Sequence, residues 1–373
     1  MKFPHITHID QLKEKVGHMK EIRFMEQDNG FTVVCYMISD EDTFHGENAE
    51  WARECRGITF DRDGKIASRS LHKFFNVGEC EETQKYNLKW NEVVSVMDKR
   101  DGSMIHPVLI DDEVAFKSKK SFGSDVAVWA NQFGLIHNPR YGEFCRQLLK
   151  ENLTPIFEYT APNSRIVINY GSEPKLKLLH VRNNFTGEYF NAGMNDHDET
   201  LVDHLIEEFD IEYIDQIGGV LPNTLMDELE MVQGIEGYIF QFANGDMVKA
   251  KSKWYLELHH SVTFPTYRSL AEMVLNETID DYKSYLSQVG ASCGAVDKIE
   301  HQIVSEMNEI EVEVERLYEL NKNLERKEVA IANKDHKYFG LLMQKYSGKE
   351  PDVKKFYMAN YLKERFSIEQ IGE

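Results

Sequence analysis

Between residues 30 and 258 the chain keeps breaking into short runs of β-branched and aromatic residues, each closed by turn chemistry, and this restricts it to a sheet-based fold. Phe31-Thr-Val-Val-Cys-Tyr36 is the first run. Gly57-Ile-Thr-Phe60 turns through Asp61-Arg-Asp-Gly64 into Lys65-Ile-Ala-Ser68. Pro107-Val-Leu-Ile110 turns at Asp111-Asp112 and returns as Val114-Ala-Phe-Lys117-Ser-Lys119. Tyr238-Ile-Phe-Gln-Phe242 turns at Asn244-Gly245, the strongest short-range hairpin signal here, into Met247-Val-Lys249-Ala-Lys251. The pattern predicts a twisted antiparallel α+β domain with intervening helices such as Asp203 to Phe209.

After Tyr255 the period changes. Ile299, Ile303, Met307, Ile310, Val314, Leu317 and Leu324 recur at helical spacing with charges between them, the stripe of a long amphipathic helix serving core or partner packing. The fold expected is therefore an antiparallel-sheet domain over 1–260 followed by an all-helical domain over 261–373. The boundary falls near residues 259 to 266, where His259-His260 precedes Pro265.

Bulk properties narrow the setting. With 42% apolar and 28% charged residues over 373 positions, usage is that of a globular protein large enough for two domains. No stretch of about 18 apolar residues occurs, and the first residues lack a signal-like apolar segment, so neither membrane insertion nor secretion is indicated. Cys35, Cys55, Cys80, Cys145 and Cys293 are odd in number, dispersed and never C-x-x-C, which supports neither a disulfide framework nor a zinc site and fits a reducing cytoplasm. A net charge of −20 opposes nonspecific binding to polyanions. However, the acidic residues crowd 196 to 230 and 305 to 328, whereas Lys and Arg recur at 99 to 120 and 249 to 253, so a local cationic groove is compatible with an acidic body.

The chemistry-bearing candidate is Lys99-Arg100-Asp101-Gly102, a K-x-D-G tetrad after the apolar run Val93-Val-Ser-Val-Met97. By itself it is a weak signal, met by chance in roughly one chain in ten of this length, and a charged turn after a strand is its bland reading. Its weight comes from the ordered company downstream: Phe116-Lys117-Ser-Lys119, Phe157-Glu158-Tyr159, Leu178-Leu-His-Val-Arg182, Ile235-Glu236-Gly237-Tyr238 and Val248-Lys249-Ala-Lys251. Lys249 and Lys251, one residue apart on a strand, share a face, and neighbouring cations favour a neutral nucleophilic amine while offsetting phosphate charge. The same reading is applied to Lys117 and Lys119. No Walker P-loop is present and no G-x-G-x-x-G follows a strand, which excludes those modes of holding ATP.

This ordered set resembles the covalent nucleotidyltransferases, and more narrowly the RNA ligase 1 family of T-even-type bacteriophages. The narrower likeness rests on Glu54-Cys-Arg56-Gly57, Ile66-Ala-Ser-Arg69 leading to Lys73-Phe-Phe-Asn76, Asn163-Ser-Arg165-Ile-Val, and Ser252-Lys-Trp254-Tyr255. It covers about residues 30 to 260 and fades over the helical third. The resemblance implies an ATP-dependent RNA ligase in which Lys99 carries AMP and Asp101-Gly102 shapes the turn presenting it. It implies that Glu236, Lys249 and Lys251 act with Lys99 in catalysis, and that Tyr36, Arg56, Lys73, Lys119, Glu158, Lys249 and Lys251 hold the nucleotide. The cofactors implied are ATP and Mg2+, with Glu158 and Asp280 as candidate metal carboxylates; which of Glu158 and Glu236 approaches magnesium stays open.

Asp280-Asp281 reads equally as a solvated helix start, and Tyr255 as a packing residue. The implied partner is RNA with 5′-phosphate and 3′-hydroxyl ends, cleaved tRNA by the family's role, with the helical domain contributing tRNA preference and no obligate protein partner. The implied compartment is the host cytoplasm if the chain is phage-encoded. Two rivals are weighed. A DNA ligase or capping guanylyltransferase needs an OB barrel after the last lysine motif, where helices follow here, and a catalytically silent RNA-binding protein is opposed by the intact Lys99, Glu158, Glu236, Lys249 and Lys251.

Overall fold

The computed structural model describes residues 3–38, 41–164, 166–190, 200–259, 267–288 and 292–365. Arg165 and residues 260 to 266, where the sequence places the domain boundary, lie outside these. The chain divides into two compact units, residues 1–259 and 260–373. It is an α+β protein with antiparallel sheets in the first unit and helices in the second.

In chain order the strands are β1 (Ile22–Glu26), β2 (Thr32–Tyr36), β3 (Arg56–Phe60), β4 (Ile66–Ser68), β5 (Phe75–Asn76), β6 (Val93–Lys99), β7 (Ser103–Ile110), β8 (Glu113–Lys117), β9 (Leu153–Thr160), β10 (Lys175–Asn183), β11 (Tyr189–Phe190), β12 (Gly237–Phe242) and β13 (Met247–Lys251). They form three sheets with orders β1-β2-β3-β4, β11-β10-β9-β7-β8 and β5-β13-β12-β6. The antiparallel expectation fails at one pairing. The two-residue β5 runs parallel to β13, with Phe75 opposite Val248 and Asn76 opposite Lys249. The chain reaches that edge from the first sheet through Lys73 and Phe74 rather than by a hairpin.

Each sheet buries one side against helices whose apolar spacing suits the task. In the helix Arg140–Lys150, Tyr141, Phe144, Cys145, Leu148 and Leu149 are buried at i, i+3 and i+4 positions. Tyr141, Phe144, Cys145 and Leu148 pack with Phe116, Phe157 and Leu176 of the second sheet. The helix expected at Asp203–Phe209 spans Leu201–Glu208 and begins with a capping box in which Thr200 accepts from Asp203 N. The first sheet packs Val34, Ile58 and Phe60 against Leu12 and Val16 of the helix Ile9–Val16.

A buried ionic triad fastens the first sheet to β10. Glu54 accepts from Arg69 Nε at 2.9 Å and from Arg182 Nη2 at 2.8 Å, all three side chains being inaccessible. Arg69 also donates to the carbonyls of Pro4, Asn184 and Phe185, and Arg182 to those of Ser70 and Gly187, so every guanidinium nitrogen has an acceptor. Burial works against the Glu54 charge, but the two arginines outweigh it and hold the carboxyl down at about 2.

In the second unit the helix Gly294–Asn321 buries Ile299, Ile303, Ile310, Val314 and Leu317, whereas Leu324 lies beyond its end and is exposed. No helix among the described residues is long and apolar enough to cross a membrane.

Candidate active site

Register builds the centre of the site. β12 lies between β6 and β13, and Gly237 stands opposite both Lys99 and Lys251. The two lysines therefore flank the residue preceding Gly237, and both reach it: Lys99 Nζ donates to Glu236 Oε1 at 2.6 Å and Lys251 Nζ approaches the same oxygen at 2.8 Å. The side chains of Glu236 and Lys251 are 4% and 5% exposed, whereas Lys99 keeps 19%, so the lysine end of the trio is the accessible one. Close approach explains the glycine, because a Cβ on Gly237 would lie 1.9 Å from Ala250 O.

The tetrad is a turn between β6 and β7 held from three sides. Asp101 is buried; its Oδ2 accepts from the backbone N–H of Val167 at 2.8 Å and of Ile168 at 2.7 Å, and its Oδ1 accepts from the Tyr255 hydroxyl at 2.8 Å. Its own N–H donates to the Tyr170 hydroxyl, and that ring carries the Arg100 guanidinium 4.2 Å from its centroid. Asp101 is thus a clamp fixing the turn that Lys99 ends on. Gly102 is needed for packing, since a Cβ there would lie 2.5 Å from Tyr159 O.

Glu158 on β9 stands opposite Met104 and faces Lys99 and Arg56 electrostatically. Burial pushes its carboxyl up to about 8 despite the pull of Lys99, with Glu236 adding repulsion. Glu236 differs: burial opposes its charge, but Lys251 and Lys99 prevail and hold it below the ordinary carboxylate value. One carboxyl of the pair is thereby inclined to keep its proton at neutral pH and the other to stay charged, the separation that acid–base and phosphate chemistry uses.

A second cluster of cations lies on the first sheet. Lys73 is buried among three rings, with Nζ 5.6, 5.6 and 5.0 Å from the centroids of Tyr36, Phe44 and Phe75, and 3.6 Å from Glu79 Oε1. Lys119 Nζ stands 4.6 Å from the centroid of the same Tyr36 ring. Arg56 donates to His72 O at 3.3 Å and rests 5.2 Å from the Phe74 centroid. Its charge acts on Glu158, which links this cluster to the Lys99 centre. Lys249, half-buried on β13, is paired with Asn76 at the end of the segment that begins with Lys73.

One expectation is corrected. Lys117 and Lys119 do not share a strand face, because β8 stops at Lys117. Lys117 is fully buried, donates to Ser118 O at 2.8 Å and Gly57 O at 3.2 Å, and lies 3.1 Å from His106 Nε2; burial pushes its amine down to about 7. Tyr255, which reads equally as a site residue and as a packing residue, is buried, anchors Asp101 and carries Lys251 Nζ 4.8 Å from its ring centroid. Asp280 belongs to the second unit, half-buried in the first turn of the helix Ile279–Gln288. There its charge acts on Glu300, which together with Asp297 holds Lys283 at 2.6 Å from each carboxylate. No local pattern marks Tyr170, or Glu54, Arg69 and Arg182 as a unit, although all three triad members lie within the motifs.

The sheets thus bring together a strand-end lysine, two enclosed carboxylates and a second group of cations. The chain belongs to the RNA ligase family, whose model matches residues 54–256. A protein designated an RNA ligase in Thermovibrio ammonificans is 33% identical over 293 residues, spanning 74% of this chain and 70% of that one. RNA ligase 1 of bacteriophage TS2126 is 26% identical over 275 residues, 72% of this chain and 65% of the phage protein. Among solved structures, an archaeal ATP-dependent RNA ligase aligns over 80% of this chain and 75% of its own with a TM-score of 0.44 and 11% identity.

Proposed function

We propose that the protein is an ATP-dependent RNA ligase working through AMP carried on Lys99. The observation that supports this most is the sharing of one Glu236 oxygen by Lys99 and Lys251 at the end of β6. A carboxylate so placed can orient the nucleophilic amine, and Lys251 keeps that carboxylate compensated when Lys99 gives up its proton. In the first stage Lys99 Nζ bonds to the α-phosphorus, the bond to pyrophosphate breaks, and the amine proton is lost. The AMP then passes to a 5′-phosphate RNA end, and the 3′-hydroxyl of another end displaces it, forming the phosphodiester.

In this reading Lys119, Arg56 and Lys249 meet phosphate oxygens, Tyr36 and Lys73 shape the nucleotide wall, and Glu158 serves the ribose or a metal. Magnesium, when bound, would neutralise phosphate charge; Glu158 is an oxygen donor of the kind it takes. Asp280 is proposed as a further carboxylate of that kind. The helical unit is assigned to RNA selection, with cleaved tRNA as the substrate and the cytoplasm as the compartment.

The test is incubation with α-labelled ATP and magnesium followed by denaturing electrophoresis and peptide mapping. Label on the peptide containing Lys99 is expected. Absence of label on folded protein that is not already adenylated would overturn the reading and favour an RNA-binding protein without turnover.

A further inference from the structure

Beside the ligase centre, two segments bring three different metal-ligand chemistries together. The short helix Glu41–His45 ends on the exposed His45, and the 3-10 turn Glu81–Thr83 is preceded by the buried Cys80 and carries Glu82. The candidate ligand atoms of His45, Cys80 and Glu82 all lie within 4.8 Å of one another, and His45 Nε2 is 3.5 Å from Glu82 Oε1. With zinc bond lengths of about 2.0 to 2.2 Å to nitrogen and oxygen, a tetrahedral centre separates those two atoms by about 3.3 Å. The histidine and carboxylate therefore already stand at bridging distance, with the sulfur within 4.8 Å of both.

The surroundings favour a built site over a chance meeting. Cys80 Sγ is fixed by Thr83 Oγ1 at 3.3 Å, and Glu82 Oε1 accepts from Arg53 Nη2 at 2.7 Å. A carboxylate offers about four lone-pair positions, so Arg53 can stay bound while a cation is taken, which is how outer partners hold metal-binding carboxylates in orientation. Arg53 itself is held by Phe44 O at 3.0 Å and packs 5.1 Å from the Phe75 centroid.

We propose that His45, Cys80 and Glu82 form a site for one borderline-soft divalent cation of the zinc class, with water as fourth ligand. The thiolate selects against magnesium and calcium. Binding is not redox chemistry: the sulfur–metal bond forms as the Cys80 thiol proton goes to solvent. The ion ties the end of the Glu41–His45 helix to the 80–83 turn, and the Phe44 and Phe75 rings beside these anchors also flank Lys73. The proposal stands independently of the ligase reading.

The experiment is titration of reduced, metal-free, full-length protein with Co2+ alone. Expected are a thiolate-to-cobalt charge-transfer band and tetrahedral d–d bands saturating at one equivalent, displaced by Zn2+ and not by Mg2+. Cys80→Ser should lose the charge-transfer band, while Cys293→Ser should keep it. Because Cys80 is buried, Glu82→Gln provides a variant that keeps the thiol, and roughly ten-fold weaker Co2+ binding is expected of it. No charge-transfer band in the wild type, persistence of the band in Cys80→Ser, or undiminished affinity in Glu82→Gln overturns the site.

Discussion

Replacing Glu54 by Gln removes the one negative charge between Arg69 and Arg182 while preserving size. The side chains of all three residues are inaccessible, so neither guanidinium can turn to water. The displacement of the Glu54 carboxyl from 4.5 to about 2 corresponds to about 3 kcal/mol of folding free energy at neutral pH. Breaking one partner out of a buried ion pair costs about 3 to 5 kcal/mol by mutational experience, which agrees. The sign with pH follows from the lowered value. The stabilisation is full above 4.5 and is lost as pH falls from there through about 2, where wild type and variant converge. All four tryptophans, Trp51, Trp90, Trp129 and Trp254, lie within residues 1–259, so their fluorescence in urea reports the first unit alone. A loss below about 1 kcal/mol at about pH 7, or a gap that stays constant down to about pH 3, would refute the reasoning.

Other outcomes are expected from the site. Lys99→Ala should abolish AMP labelling yet change stability by only on the order of 1 kcal/mol, because Glu236 retains Lys251; normal labelling would sink the assignment. Gly102→Ala forces its new methyl against Tyr159 O, so a destabilisation of about 1 to 3 kcal/mol in the same fluorescence assay, with slowed labelling, is expected. Deleting residues 260–373 should spare self-adenylation and weaken discrimination among RNA substrates, and unchanged tRNA preference in ligation assays would count against that role for the helices.

Local signals in the sequence carried well where the structure depends on neighbours along the chain. The run Val93 to Met97 followed by a K-x-D-G turn corresponds to β6 and the turn into β7, and the Asn244-Gly245 hairpin to β12 and β13. The error at Lys117 and Lys119 has a local cause too: alternation places two such residues on one face only while the strand lasts, and β8 ends between them. What could not be read were partnerships across long separations. The clamp on Asp101 comes from residues 167, 168 and 255, and the neutralisation of Glu54 from residues 69 and 182. No periodicity marks such pairs, because each depends on the packing of several sheets at once. The parallel β5–β13 contact was hidden for the same reason.

The triad also bears on the order in which the molecule is assembled during synthesis. Glu54 and Arg182 are 128 residues apart, and Ile6 N donates to Phe185 O. A growing chain that has released its first sheet alone would have to enclose a carboxylate and Arg69 without the second guanidinium or the carbonyls that complete the set. Closing so long a loop is slow compared with local strand pairing. The earliest-made sheet therefore lacks the second guanidinium and those carbonyls until the segment carrying β10 has been synthesised.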